Sequence, residues 1–138
     1  MIAQSTPFAR FRSRTLSERK LLVRTTLLFL AAHLLLRHRE LRRTRDRMAA
    51  LARRLAAVAA GPAELSWAVA SVRHALPGHH SCLVTALCCE AIATNSGIVT
   101  DFKIGAAQQH GRMHFHAWVE HEGVALTGAH DDEFAPLS

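Results

Sequence analysis

Several features that would declare a chemistry at once are missing from this chain. Its three cysteines all fall within eight positions of one stretch, "HHSCLVTALCCE" (79–90). No Cys-x-x-Cys and no even, spaced set occurs, which argues against a redox dithiol or a disulfide scaffold and for a reducing compartment. There is no His-Glu-x-x-His or comparable ligand spacing, so a zinc hydrolase has no signature here. Long apolar runs are also absent. The most apolar, "TTLLFLAAHLLL" (25–36), has twelve residues, contains His33 and is flanked by Arg24 and Arg37. That is too short to be assigned to a bilayer. It reads first as a buried helix, then as an interfacial helix at an anionic membrane surface or a docking helix for a partner. The first twenty residues hold basic side chains, but no apolar stretch follows directly and no small-residue cleavage site is evident, so no signal peptide is expected. The expected location is the cytoplasm, with membrane association as a variant of it. Acids are scarce in residues 1–60, which carry three of them (Glu18, Glu40, Asp46) against fourteen Lys and Arg.

What remains is a folded, lopsided chain. Of 138 residues, 49% are hydrophobic, enough for one modest core, and the net charge is +6. Residues 61–138 reverse the balance, with three basic residues against eight acids, and hold eight of the ten histidines. This divides the chain into a basic helical region (1–60) and a mildly acidic, His-rich core (61–138) with a different task. Residues 1–14 read as a basic tail. A first helix runs from about Thr15 or Ser17 to Arg37, and a second from about Glu40 to Ala60. Leu41, Met48, Leu51, Leu55 and Val58 recur on the second at helical steps, which leaves Arg42, Arg43, Arg45, Arg47, Arg53 and Arg54 largely on its solvated side. Gly61-Pro62 closes that helix and opens a third, to about Leu76, with Leu65, Val69, Val72 and Leu76 inward. "LPGHHS" (76–81) is a turn whose Ser81 caps a fourth helix, 82–95, stopped by Asn95 and Gly97. The period then changes to two. Residues 97–106 and 113–120 read as strands around a polar loop "QQHGR", and "HEG" is a tight turn before a third strand, 124–128. Helices first and a small antiparallel sheet after make an α+β fold.

The fourth helix separates the cysteines. Cys82 stands where the first helical N–H groups lack intrahelical partners, and those donors with the helix dipole favour a negative thiolate. Cys88 and Cys89 lie two turns on, where the dipole offers nothing and burial opposes ionisation. Cys82 and Cys88 would be about 9 Å apart along a helix, beyond the roughly 7 Å that a disulfide tolerates. A nucleophilic cysteine needs a base, and the base needs a group that orients it. His116, in the strand "MHFHAWVE" with Trp118 on the same face, is the leading candidate, although His114 shares that face. Asp131 or Asp132, in "HDDE" after the third strand, can supply the acid. A helix-borne Cys, then a strand His, a hairpin and an acid is the order of a papain-like or transglutaminase-like core, in which the Cys helix packs on the sheet.

Residues 64–138 resemble a known family more closely. "WAVASVRHALPGHHSCLVTAL", "GIVTDFKIGA" and "HAWVEHEGVALTG…DDEFAPL" are similar to the leader peptidases (B proteins) of lasso-peptide biosynthesis, microcin-processing proteins with a transglutaminase-like core. The resemblance implies a cysteine protease that removes the leader from a ribosomally made precursor, after which a separate ATP-dependent cyclase closes the macrolactam. It implies Cys82 as nucleophile, His116 as general base and Asp131 or Asp132 as the acid, with no cofactor and no metal. It also implies three partners: the precursor peptide, a separate leader-binding recognition (RRE) protein and the cyclase.

Other readings stay open. The same triad serves a transglutaminase-like acyl transferase. The histidines at 79, 80, 114, 116, 121 and 130 with Cys82 allow a metal-dependent hydrolase, His114 and His116 forming a ligand pair on one strand face. The arginines allow a basic helical module at an acidic surface. Nucleic acid is not expected as the partner, because no aromatic residues interleave the helical arginines.

Overall fold

The computed structural model describes residues 15–76, 81–127 and 135–136. Four helices precede a four-stranded sheet. The helices are α1 (Leu16–His38), α2 (Leu41–Arg54), α3 (Pro62–Ala75) and α4 (Cys82–Asn95). The strands are β1 (Asp101–Gln109), β2 (Arg112–His121), β3 (Val124–Thr127) and the two-residue β4 (Ala135–Pro136), in the order β3-β2-β1-β4 and antiparallel throughout. The α+β expectation is met.

The sequence of α4 explains its place at the centre. "CLVTALCCEAIATN" has one charged residue, Glu90, and a helix apolar on every side is stable only when every side is covered. Accordingly α4 packs against α1, α2 and α3 and against β1, β2 and β3, and Val84 to Cys89 are all buried. Glu90 escapes isolation through Arg45 of α2, whose Nε and Nη2 donate to its two carboxylate oxygens at 3.0 and 2.7 Å. The Arg45 guanidinium also lies 4.5 Å from the centre of the Phe102 ring at the start of β1. Arg45 is therefore half-buried and paired, where the helical periodicity alone sets it on the solvated side.

One apolar cluster joins the two halves of the chain, from Leu21, Leu28, Phe29 and Ala32 on α1 through α4 to Ala117 and Val119 on β2 and Leu126 on β3. The apolar run at 25–36 lies inside α1, which is capped by Thr15 Oγ1 accepting from the Glu18 amide. With 23 residues and a mean hydropathy of 1.3 over its most apolar window, α1 is long and apolar enough to cross a membrane. It serves as a core helix on one face, where Leu21, Thr25, Leu28, Phe29 and Ala32 are buried.

Three boundaries differ from expectation. Helix α2 stops at Arg54, not near Ala60, although "LAAVAA" is rich in good helix formers. The reason is Asn95, buried at the end of α4. Its Nδ2 donates to the carbonyls of Ala52 (3.0 Å), Leu55 (3.2 Å) and Ala56 (3.3 Å), and its Oδ1 accepts from the Val58 amide (3.2 Å). These bonds satisfy one carbonyl of the last turn of α2 and the two that follow the helix, and tie Leu55, Ala56 and Val58 into a non-helical path. Strand β1 begins at Asp101, not 97. Gly97 (φ +76°) instead closes α4, with the Ile98 amide reaching back to the Ala93 carbonyl at 2.8 Å. The loop expected at "QQHGR" is a two-residue hairpin turn, since Gln109 pairs with Arg112 and both His110 and Gly111 have positive φ. The "HEG" turn is built the same way on Glu122 and Gly123. The tail 1–14, the turn residues 77–80 and the "HDDE" segment lie outside the described residues.

Candidate active site

Cys82 is the first residue of α4 and is half-buried against the apolar cluster. Ser81 caps the helix as its sequence position suggests, its Oγ accepting from the Val84 amide at 3.2 Å and its carbonyl from the Thr85 amide at 3.2 Å. The Ser81 carbonyl also accepts from the Thr85 hydroxyl at 3.0 Å. Of the first helical donors, Ser81 does not take those of Cys82 and Leu83. These point along the helix axis toward the end where the positive pole of the dipole lies.

The other two thiols are in a different environment. Cys88 is wholly buried, and its Sγ lies 3.4 Å from the Thr25 carbonyl of α1. Burial first, and the neighbouring Cys89 second, push its thiol well above the usual range. Burial and the Glu90 carboxylate push Cys89 up to about 12. Both are neutral at any physiological pH. They fill space between α4 and the surrounding helices.

His116 lies in the middle of β2, directly across from Gly105 of β1, and its ring stacks on Trp118 with centroids 5.9 Å apart and planes 18° from parallel. Trp118 is itself held by its Nε1–H, which donates to Glu120 at 2.6 Å. Three residues at period two thus form a row along one strand face, and the row restricts the imidazole. Trp118 was legible as a same-face neighbour of the histidine. Glu120 was not singled out, although Trp-x-Glu in a strand is the signal that could have found it.

The register sorts the rest. Ala117 and Val119 alternate with the row and are buried beneath the helices, and their cross-strand partners Ile104 and Phe102 pack against the same cluster in part. His114, His116, Trp118 and Glu120 occupy the alternate face, so His114 does share the face of His116 and is exposed at its outer end. On the helix side, Met113 and Phe115 are exposed whereas Ala117 is buried, so the helical cover ends between Phe115 and Ala117. β3 and β4 stand on opposite edges, and the residues between them include Asp131 and Asp132, which lie outside the described residues together with His79, His80 and His130. His121 is engaged elsewhere, its Nδ1 lying 2.8 Å from the Val99 carbonyl. Among the described residues, no three His, Cys, Asp or Glu side chains are grouped so as to hold a metal ion.

Comparison with known proteins agrees with this architecture. A family model described as the transglutaminase-like superfamily matches residues 26–138, which takes in most of α1 as well as everything after it. Neither the curated proteins nor the solved structures contain a significant match.

Proposed function

Since the chain belongs to the transglutaminase-like superfamily, which includes cysteine peptidases and acyltransferases, we propose that it is a cysteine peptidase working through Cys82, His116 and one acid of the pair Asp131 and Asp132. Its substrate is the leader-bearing precursor of a lasso peptide, cut before a partner cyclase closes the ring, and a leader-binding protein presents it.

The observation that carries this reading is the contrast among the thiols. Only Cys82 is both accessible and at the positive end of a helix, while the other two are held neutral by burial. A second argument is the alignment of α4 with the sheet. Glu90 is tied through Arg45 to Phe102, the residue across from Val119. Cys82 lies eight residues earlier, about 12 Å along the helix. About 12 Å along a strand is three to four residues, which leads back from Val119 to Phe115 at the end of the covered face, with His116 next to it in the strand on the opposite face. The chain also leaves the sheet at Thr127 on one edge and rejoins it at Ala135 in β4, where Pro136 pairs with Gly105, the residue across from His116. This is the reason for retaining an acid from the intervening stretch.

In the reaction, His116 takes the proton of the Cys82 thiol and the thiolate attacks the scissile carbonyl. The backbone N–H groups of Cys82 and Leu83, not taken by Ser81, stabilise the oxyanion. His116 gives its proton to the leaving amine, the peptide C–N bond breaks and a thioester remains. Water, losing a proton to His116, then hydrolyses the thioester to a carboxylate and restores the thiol. The test is mass spectrometry of a lasso precursor incubated with the protein and a leader-binding partner. Wild type is expected to release a free leader acid, and Cys82→Ala and His116→Ala to release none, while His114→Ala retains cleavage. Equal cleavage by Cys82→Ala would refute the reading, and transfer of the leader acyl group to an added amine in place of hydrolysis would move the protein to the acyltransferase branch.

A further inference from the structure

Helix α1 has a second face that the core does not use. Leu16, Val23, Leu27, Leu30 and Leu34 are 46% to 69% exposed. At about 100° per residue they fall in one sector about 60° wide, opposite the sector of Leu21, Thr25, Leu28, Phe29 and Ala32. A stripe of five exposed aliphatic residues on one helix is larger than the scattered apolar residues of an ordinary surface.

The charges around the stripe indicate what covers it. No Asp, Glu, Lys or Arg occurs from Thr25 to Leu36. Arg19, Lys20 and Arg24 flank the stripe at one end and Arg37, His38 and Arg39 at the other, followed across the corner by Arg42 and Arg43 of α2, all exposed or half-exposed. The one acid of α1, Glu18, falls on the core side of the wheel. Two copies packed along this stripe would set cations against cations at both ends, where the exposed acid beside them, Glu40, is already paired with Arg43 at 3.4 Å. An uncharged apolar centre with cations at its ends suits a bilayer surface, where leucines enter the acyl boundary and basic side chains reach the phosphates.

We propose that the outward face of α1 docks the folded protein on an anionic lipid surface, with Val23, Leu27, Leu30 and Leu34 as the apolar centre of the contact and the flanking basic side chains on the headgroups. The helix lies in the plane of the interface. Its other face remains in the protein core, so the enzyme is held on the membrane without a span. This does not depend on the peptidase reading, and Cys82→Ala should bind lipid as wild type does.

The experiment is co-sedimentation of the full chain with vesicles of phosphatidylcholine alone and of phosphatidylcholine mixed with phosphatidylglycerol. Strong binding to the anionic vesicles, weak binding to the neutral ones and weakening by salt are expected. Leu27→Ser/Leu30→Ser, both at exposed positions, should lower binding by about tenfold or more, with an unchanged circular dichroism spectrum and urea midpoint. Lys20→Gln/Arg37→Gln should lower it on anionic vesicles only. Vesicle binding that ignores both variants would overturn the proposal. So would absence of binding with a dimer that Leu27→Ser/Leu30→Ser dissolves in light scattering, or with a purified leader-binding protein or cyclase that the same variant no longer captures.

Discussion

The separation of the three thiols can be measured directly by alkylation. The structure places Cys88 and Cys89 within the helical layer and leaves Cys82 half-buried at the helix start. Cys89, pushed up to about 12, has an ordinary value of about 8.5 when unfolded. Between the two states its thiolate fraction at pH 8 differs by about three orders of magnitude. Cys88 is pushed in the same direction by more complete burial. Reaction of iodoacetamide with either therefore requires opening of the fold, and it is suppressed further by exclusion of the reagent. The assay is peptide mass spectrometry after timed alkylation at pH 8, of the native chain and of the chain in urea. Native protein should gain one carbamidomethyl group, at Cys82, and urea-unfolded protein three. Labelling of Cys88 or Cys89 in folded protein at a rate within about tenfold of their rate in urea would show that α4 is not packed as described, and the argument that isolates Cys82 would lose its basis.

Three further predictions concern the fold that holds this site. Asn95→Ala removes four hydrogen bonds and leaves the end of α2 unsatisfied, so it should cost about 2–4 kcal/mol, read as a lower urea midpoint; a loss below about 1 kcal/mol would mean that Asn95 does not terminate α2. Because the folded values of Cys88 and Cys89 are raised, their contribution is whole below the unfolded thiol value of about 8.5 and declines as pH rises, for Cys89 toward about 12. Stability should thus fall above about pH 9 by up to about 1.4 kcal/mol per pH unit per thiol, and a Cys88→Ala/Cys89→Ala variant should show a flatter profile between about pH 8 and 10.5. The chain has no tyrosine to confuse that window. Arg45→Met should cost about 1–3 kcal/mol by leaving Glu90 unpaired, and Arg45→Met/Glu90→Leu should recover most of it; a double variant no better than the single one would show that the ion pair is not what holds the two helices there.

Much of the architecture follows from local chemistry. Thr15 and Ser81 as caps, Pro62 as a first helical residue, Gly97 as a stop and the positive-φ pair at Glu122-Gly123 are decisions that a few neighbouring residues make for themselves. So is the difference between Cys82 and the other cysteines, because helix position depends only on where the helix begins. The alternation of β2, which puts His116 and Trp118 on one face and Ala117 and Val119 on the other, follows equally from period two.

Tertiary structure decided what those elements meet. "LAAVAA" is helical by propensity, and only Asn95, 37 to 43 residues away, ends the helix before it. Arg45 carries no sign in the sequence that distinguishes it from the other arginines of α2; its pairing with Glu90 and contact with Phe102 arise because α2 crosses α4 at that turn. The apolar run of α1 is equally hydrophobic on two sides, and periodicity cannot say which of them meets α4. Burial of Leu21, Leu28 and Phe29 settles it, and the same choice leaves Leu27, Leu30 and Leu34 facing outward. A contact between residues distant in sequence has no local signal, since its free energy belongs to the pair and appears only when the chain brings both members together.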